Sequence, residues 1–213
     1  MQVLGRADSS NVQAVMWGAA ELGLSPERLD YGHRFGGLDS PEFLAMNPEG
    51  KVPVLRDGDL TLFESSAILR YLAARYGDGG AFWPSDPVER APVDQWAEWG
   101  KVEWQRGFAM PVFWARVRVA ASERSEESVR TAEAAHLKRC DTLEAQLDGR
   151  DYVAGAFSLA DVVIGHLLYR HADIGLPMGP RLHAYSDRLT ERPAFREHVM
   201  ISYEALRHPE ASG

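Results

Sequence analysis

Apolar positions along the first eighty residues of this 213-residue chain change their spacing several times, as short strands alternating with helices do. Val3-Leu4 is a short strand-type run. It is followed by Val12, Val15, Met16, Ala19 and Leu22, whose intervals put them on one helical face, with Gly23 as the stop. Glu27 to Tyr31 reads as a second strand. A polar loop through Gly36 and Gly37 leads to Ser40-Pro41, a cap followed by proline at the first helical position, where a missing N–H costs nothing. Val52-Pro53-Val54-Leu55 and Leu60-Thr61-Leu62-Phe63 are apolar runs separated by Asp57-Gly58-Asp59, and Asp-Gly between such runs predicts a hairpin. Ser65 then caps a helix that buries Ile68, Leu69, Leu72 and Tyr76 and ends at Gly77.

The stretch from Gly77 to Pro87 is rich in glycine and proline and reads as a linker. Beyond it the pattern is helical throughout: Pro87 to Val119, Ser125 to Leu147, Ser158 to about His171, and two shorter pieces between Pro180 and Tyr203. The chain thus divides into a mixed α/β part, residues 1–80, and an all-α part, residues 87–213.

Composition adds exclusions. With 23 Lys+Arg against 31 Asp+Glu, the net charge of -8 disfavours nucleic acid or an anionic membrane surface as partner, since both reward clustered cations. One cysteine cannot make a disulfide, a CxxC pair or a thiolate zinc site. Cys140, three residues before Leu143 and seven before Leu147, is expected in the helical core. No phosphate-binding glycine loop, nucleophile elbow or HExxH motif occurs, and no metal is expected. The lack of a signal-type or membrane-spanning apolar stretch points to a cytoplasmic protein.

Four features in the first part carry candidate chemistry. Ser9-Ser10-Asn11 precedes the first helix, where any of the three can cap it, or can join the free N–H groups of the helix start in holding an anion. Pro53 between β-type residues marks an edge, a bulge or a cis peptide; in the last case Val52 is extended, with its own N–H and C=O open to a peptide-like ligand. Glu64-Ser65 at the next helix start can hold an ammonium and a carboxylate, or serve as a cap alone. Lys51, beside the Val-Pro pair, is a surface lysine or a carboxylate partner. In the second part, Trp99, Trp104, Met110, Phe113 and Trp114 make the first long helix apolar on more than one face, and Pro111 predicts a kink.

The segments Asn47-Pro48-Glu49-Gly50-Lys51-Val52-Pro53-Val54-Leu55 and Leu62-Phe63-Glu64-Ser65-Ser66-Ala67-Ile68-Leu69-Arg70-Tyr71-Leu72 resemble the glutathione-binding half of cytosolic glutathione transferases. Gly155-Ala156-Phe157-Ser158-Leu159-Ala160-Asp161 is similar to the family's buried capping box, so the likeness spans nearly the whole chain. The resemblance implies a thioredoxin-like N-terminal domain with a mixed four-stranded sheet, followed by an all-α helical bundle. It implies a bacterial, serine-type, theta- or nu-like transferase joining the thiolate of glutathione to a small hydrophobic electrophile, and a homodimer. In that reading Ser9 activates the thiol, with Ser10 as the alternative, and Asn11 departs from the theta pattern and is similar to a bacterial subgroup in which an asparagine near the helix start also contacts the thiol. Val52, presented by Pro53, meets the cysteinyl part; Glu64 and Ser65 hold the γ-glutamyl end; Lys51 meets the glycyl carboxylate. Arg106, Met110, Phe113 and Trp114 would face the electrophile. The alternatives are a glutathione-dependent disulfide or peroxide reductase and a non-catalytic binding module.

Overall fold

A computed structural model describes residues 1–209. The sheet holds four strands in the order β2-β1-β3-β4: β1 (Gln2–Leu4), β2 (Glu27–Leu29), β3 (Val54–Asp57) and β4 (Leu60–Phe63). β1 runs parallel to β2, with Val3 opposite Arg28, and antiparallel to β3, with Val3 opposite Leu55. β3 and β4 form the predicted hairpin around Asp57 and Leu60, and Gly58 takes the positive φ of 59° that its turn requires. β3 opens at Val54, later than the apolar run begins, because the Val52–Pro53 peptide is cis and leaves both residues outside the ladder.

Helix α1 (Ser10–Glu21) is buried at every position from Val12 to Ala19. Val12, Val15, Met16 and Ala19 pack on the sheet with Ile68 and Leu72 of α3 (Ser65–Tyr76). The opposite face, Ala14 and Trp17, belongs to the core of the helical part, which the periodicity does not reveal. α2 (Pro41–Met46) is capped by Ser40, whose Oγ accepts from the Phe43 N–H at 3.1 Å.

The helical part opens with α4 (Pro87–Trp99), capped by Asp86. It continues through a π turn (Gly100–Gln105), α5 (Arg106–Phe108), a second π turn (Ala109–Trp114) and α6 (Ala115–Arg118). The kink expected at Pro111 takes the form of that second widened turn. α7 (Glu126–Gln146) follows, with Cys140 in its buried face. The expected helix from Ser158 to His171 is two, α8 (Leu159–Gly165) and α9 (Leu168–Asp173), because the Leu167 N–H takes the Ile164 carbonyl and closes the turn early. α10 (Pro180–Thr190) and α11 (Pro193–His198) complete the bundle. No helix among the described residues is long and apolar enough to cross a membrane.

Candidate functional site

Strand ends and helix starts converge on a cavity of about 340 Å³ between the sheet and the helical bundle. Its walls include Ser9, Ser10 and Asn11 at the start of α1, Lys51, Val52 and Pro53 ahead of β3, and Glu64 and Ser65 at the start of α3. Met110 and Trp114, four residues apart on the second π turn, supply the apolar side.

Ser9 is the N-cap of α1, extended at φ -80° and ψ 124°, and is 7% exposed. Its carbonyl starts the helix by accepting from the Gln13 N–H at 2.9 Å, but its hydroxyl makes no hydrogen bond among the described residues. The helix start therefore offers an uncommitted hydroxyl together with unpaired N–H groups and partial positive charge. Val52 likewise keeps its backbone N–H and C=O unpaired among the described residues, since cis Pro53 has taken it out of the ladder. The loop before it is held by buried Asn47, which donates to the Lys51 carbonyl at 2.7 Å and accepts from the Glu49 N–H at 3.1 Å. Lys51 itself is exposed and pairs with Glu49 at 3.3 Å.

Glu64 adopts φ 70°, a region that costs a non-glycine residue of order 1–3 kcal/mol. This backbone turn sends the chain from β4 directly into α3, so that Ser65 and the first N–H groups of α3 face the cavity. Ser65 donates to Asn11 Oδ1 at 3.1 Å, tying the two helix starts together. Lys101 reaches across from the first π turn to Asn11 Oδ1 at 3.1 Å, Ser65 Oγ at 3.0 Å and the Glu64 carboxylate at 3.7 Å. Burial lowers the Lys101 ammonium below the ordinary lysine value, and the nearby Glu64 and Glu98 carboxylates partly restore it.

Arg6 and His33 also line the cavity. Burial pushes the Asp8 carboxyl up, but Arg6 at 2.6 Å and Arg34 at 3.1 Å together bring it below the ordinary carboxylate range. His33 is lowered by partial burial and by the guanidinium of Arg118, which lies 2.6 Å from its Nε2.

Of the four residues expected to face an electrophile, Met110 and Trp114 line the cavity. Phe113 does not: it is 1% exposed, in the helical core beneath the Arg170 guanidinium. Arg106 is exposed, absent from the cavity wall and without a hydrogen bond or ion pair among the described residues. Conversely, Arg6, His33, Asn47, Lys101 and Gln105 enter the site without having been singled out. Lys101 and Gln105 stand four apart on one helical face, but Glu98, Glu103 and Arg106 surround them in the sequence, so nothing local distinguishes them from other polar residues of that helix.

Away from the cavity, His136, Cys140 and His171 gather in the core with their N and S atoms within 4.8 Å of one another. The two imidazoles form a hydrogen-bonded chain: His136 Nε2 lies 3.0 Å from His171 Nδ1, and His171 Nε2 lies 3.1 Å from the Pro177 carbonyl. Burial raises the Cys140 thiol to about 12, so it stays protonated.

A four-stranded sheet presenting two helix starts and a cis-proline loop, docked on a helical bundle, defines the architecture of the cytosolic glutathione transferases. Residues 1–74 match the family model of the glutathione S-transferase N-terminal domain, and residues 106–193 that of the C-terminal domain. The chain is 38% identical over 209 residues to glutathione S-transferase GstB of Escherichia coli strain K12, covering 92% of this chain and 96% of that one. It is 31% identical over 208 residues to glutathione S-transferase 3 of Zea mays, covering 93% of each. The theta class glutathione S-transferase of the citrus canker pathogen Xanthomonas axonopodis pv. citri, solved with glutathione bound, superposes with a TM-score of 0.86 at 36% identity, over 94% of this chain and 97% of that one. This chain belongs to the glutathione S-transferase family.

Proposed function

We propose that the protein is a glutathione transferase that binds glutathione along the cavity wall from Lys51 to Glu64 and joins its sulfur to a small hydrophobic electrophile. The observation that carries this reading is the convergence of unpaired Val52 backbone groups, the Ser65 end of α3 and the Ser9 end of α1 on one cavity. Val52 would pair with the cysteinyl unit as an added strand. Ser65 and Glu64 would take the γ-glutamyl carboxylate and ammonium, and Lys51 the glycyl carboxylate. Ser10 lies beside them on the wall.

That placement sets the cysteinyl sulfur against the start of α1. The thiolate attacks the electrophilic carbon, a C–S bond forms, and the leaving group departs with its electron pair. Lowering a thiol from about 8.5 by two units takes about 2.7 kcal/mol. One hydroxyl donor to a charged acceptor supplies about 1.5–3 kcal/mol and a helix start up to about 1 kcal/mol, so Ser9 and α1 suffice without a general base. Met110 and Trp114 give the electrophile an apolar wall. The reading includes a cytoplasmic location and a homodimer; the exposed Leu60 and Phe63 side chains on edge strand β4 support the second.

Replacement of Ser9 by Ala is expected to raise the kinetic pKa of bound glutathione by about one unit while changing its KM only a few-fold. A pH profile unmoved by Ser9→Ala but moved by Ser10→Ala would reassign the thiol donor. Failure of the protein to bind immobilised glutathione would end the reading.

A further inference from the structure

Asn11 sits where the two parts of the chain meet. Its Oδ1 accepts from Ser65 Oγ at 3.1 Å, Lys101 Nζ at 3.1 Å and Gln105 Nε2 at 2.8 Å. An ammonium has no lone pair and can only donate. The Asn11 atom that faces Lys101 is therefore the carbonyl oxygen; turning the amide over would set its NH2 against a cation. Asn11 Nδ2 makes no hydrogen bond among the described residues, while the residue lines the cavity beside Ser9. The acceptor end of the amide is thus committed to the helical part, and the donor end is left for the cavity.

We infer that Gln105 and Lys101 are positioning residues for the thiol, holding the Asn11 amide so that its Nδ2–H donates to the glutathione sulfur alongside the Ser9 hydroxyl. The inference rests on the glutathione reading above. A donor aimed at the sulfur favours thiolate over thiol, whereas the reversed amide would present an oxygen that repels it. The orientation thus decides the sign of the effect as well as its size. Both positioning residues stand on the π turn Gly100–Gln105, four apart, on a helix separate from the one they orient.

Other charges also face this point. Lys101 pairs with Glu64 and feels Glu98, and Arg6, His33 and Lys51 share the cavity wall. Lys101 touches Ser65 and Glu64 as well as Asn11, so its removal would disturb γ-glutamyl binding too. Gln105 is the cleaner probe, since among the described residues its side chain bonds Asn11 alone.

The test titrates the ultraviolet thiolate absorbance of bound glutathione in the parent protein, Gln105→Leu, Asn11→Ala and the double variant, with kcat and KM measured on chlorodinitrobenzene. Gln105→Leu is expected to raise the bound-thiol pKa by about 0.5–1 unit with the glutathione KM within about threefold, and to add nothing once Asn11 is Ala. An unmoved titration in Gln105→Leu, or a shift of the same size with and without Asn11, overturns the inference while leaving glutathione transfer standing. A parent protein that binds no glutathione overturns both.

Discussion

Asp161 is wholly buried and accepts four hydrogen bonds, from the Ser158 N–H at 2.8 Å, Ser158 Oγ at 3.0 Å, the Val153 N–H at 3.1 Å and the Tyr185 hydroxyl at 2.9 Å. The first is one half of the capping box of α8, whose other half runs from the Asp161 N–H to the Ser158 side chain; the Val153 and Tyr185 bonds tie that helix start to the preceding loop and to α10. Burial outweighs these donors and pushes the carboxyl up to about 6. Truncation leaves several buried donors unpaired, each at about 1–3 kcal/mol. Asp161→Ala is expected to lose at least about 3 kcal/mol of unfolding free energy in urea; a loss near that of a surface cap, about 1 kcal/mol, would contradict it. The Ser158–Asp161 half of this arrangement is legible from a three-residue spacing. Tyr185 and Val153 are not, because only folding brings them to the carboxylate.

At the scale of elements, the local signals and the distant ones separate in the same way. The β3–β4 hairpin follows from Asp57-Gly58, and the sheet-facing stripe of α1 from Val12, Val15, Met16 and Ala19, since each depends on neighbours a few residues away. The second buried face of α1 was hidden because Ala14, Trp17 and Gly18 interrupt the amphipathic pattern that a helix with one wet side would show. Lys101 and Gln105 were hidden because their partner, Asn11, lies 90 and 94 residues earlier. The α1–α8 contact offers a test. A Cβ on Gly165 would come within 2.5 Å of Leu189 Cδ1 and 3.1 Å of the Trp17 ring, so Gly165→Ala should destabilise the protein by about 1–3 kcal/mol despite alanine's better helix propensity. A stabilised Gly165→Ala variant in denaturant melts would mean that the contact yields.

For the whole molecule, buried titratable groups set the response to acid. Burial lowers His136 to about 3, with His171 and Arg139 adding repulsion, and lowers His166 to about 3; His171 is lowered too. In the unfolded chain these rings take protons near 6.5, so stability is intact above that value and is lost as the pH falls toward 3. Asp161 acts in the opposite sense, since its folded carboxyl binds a proton more readily than the unfolded one: stability is gained as the pH falls from about 6 to 3.8. At pH 5 His136 and His166 cost about 2 kcal/mol each, and Asp161 returns about 1 kcal/mol relative to pH 7. Urea midpoints should therefore be lower at pH 5 than at pH 7, and equal midpoints would show that these rings are not held neutral.

The same scale bears on the shape of α1. One face closes the sheet, the other belongs to the helical core, and its first residues line the cavity with Asn11 fastened from across the linker. A chain cut between Gly77 and Pro87 would still share this helix between its two pieces. The covalent joint is thus the least of what keeps the halves together, and what the cavity can bind reports on whether they are docked.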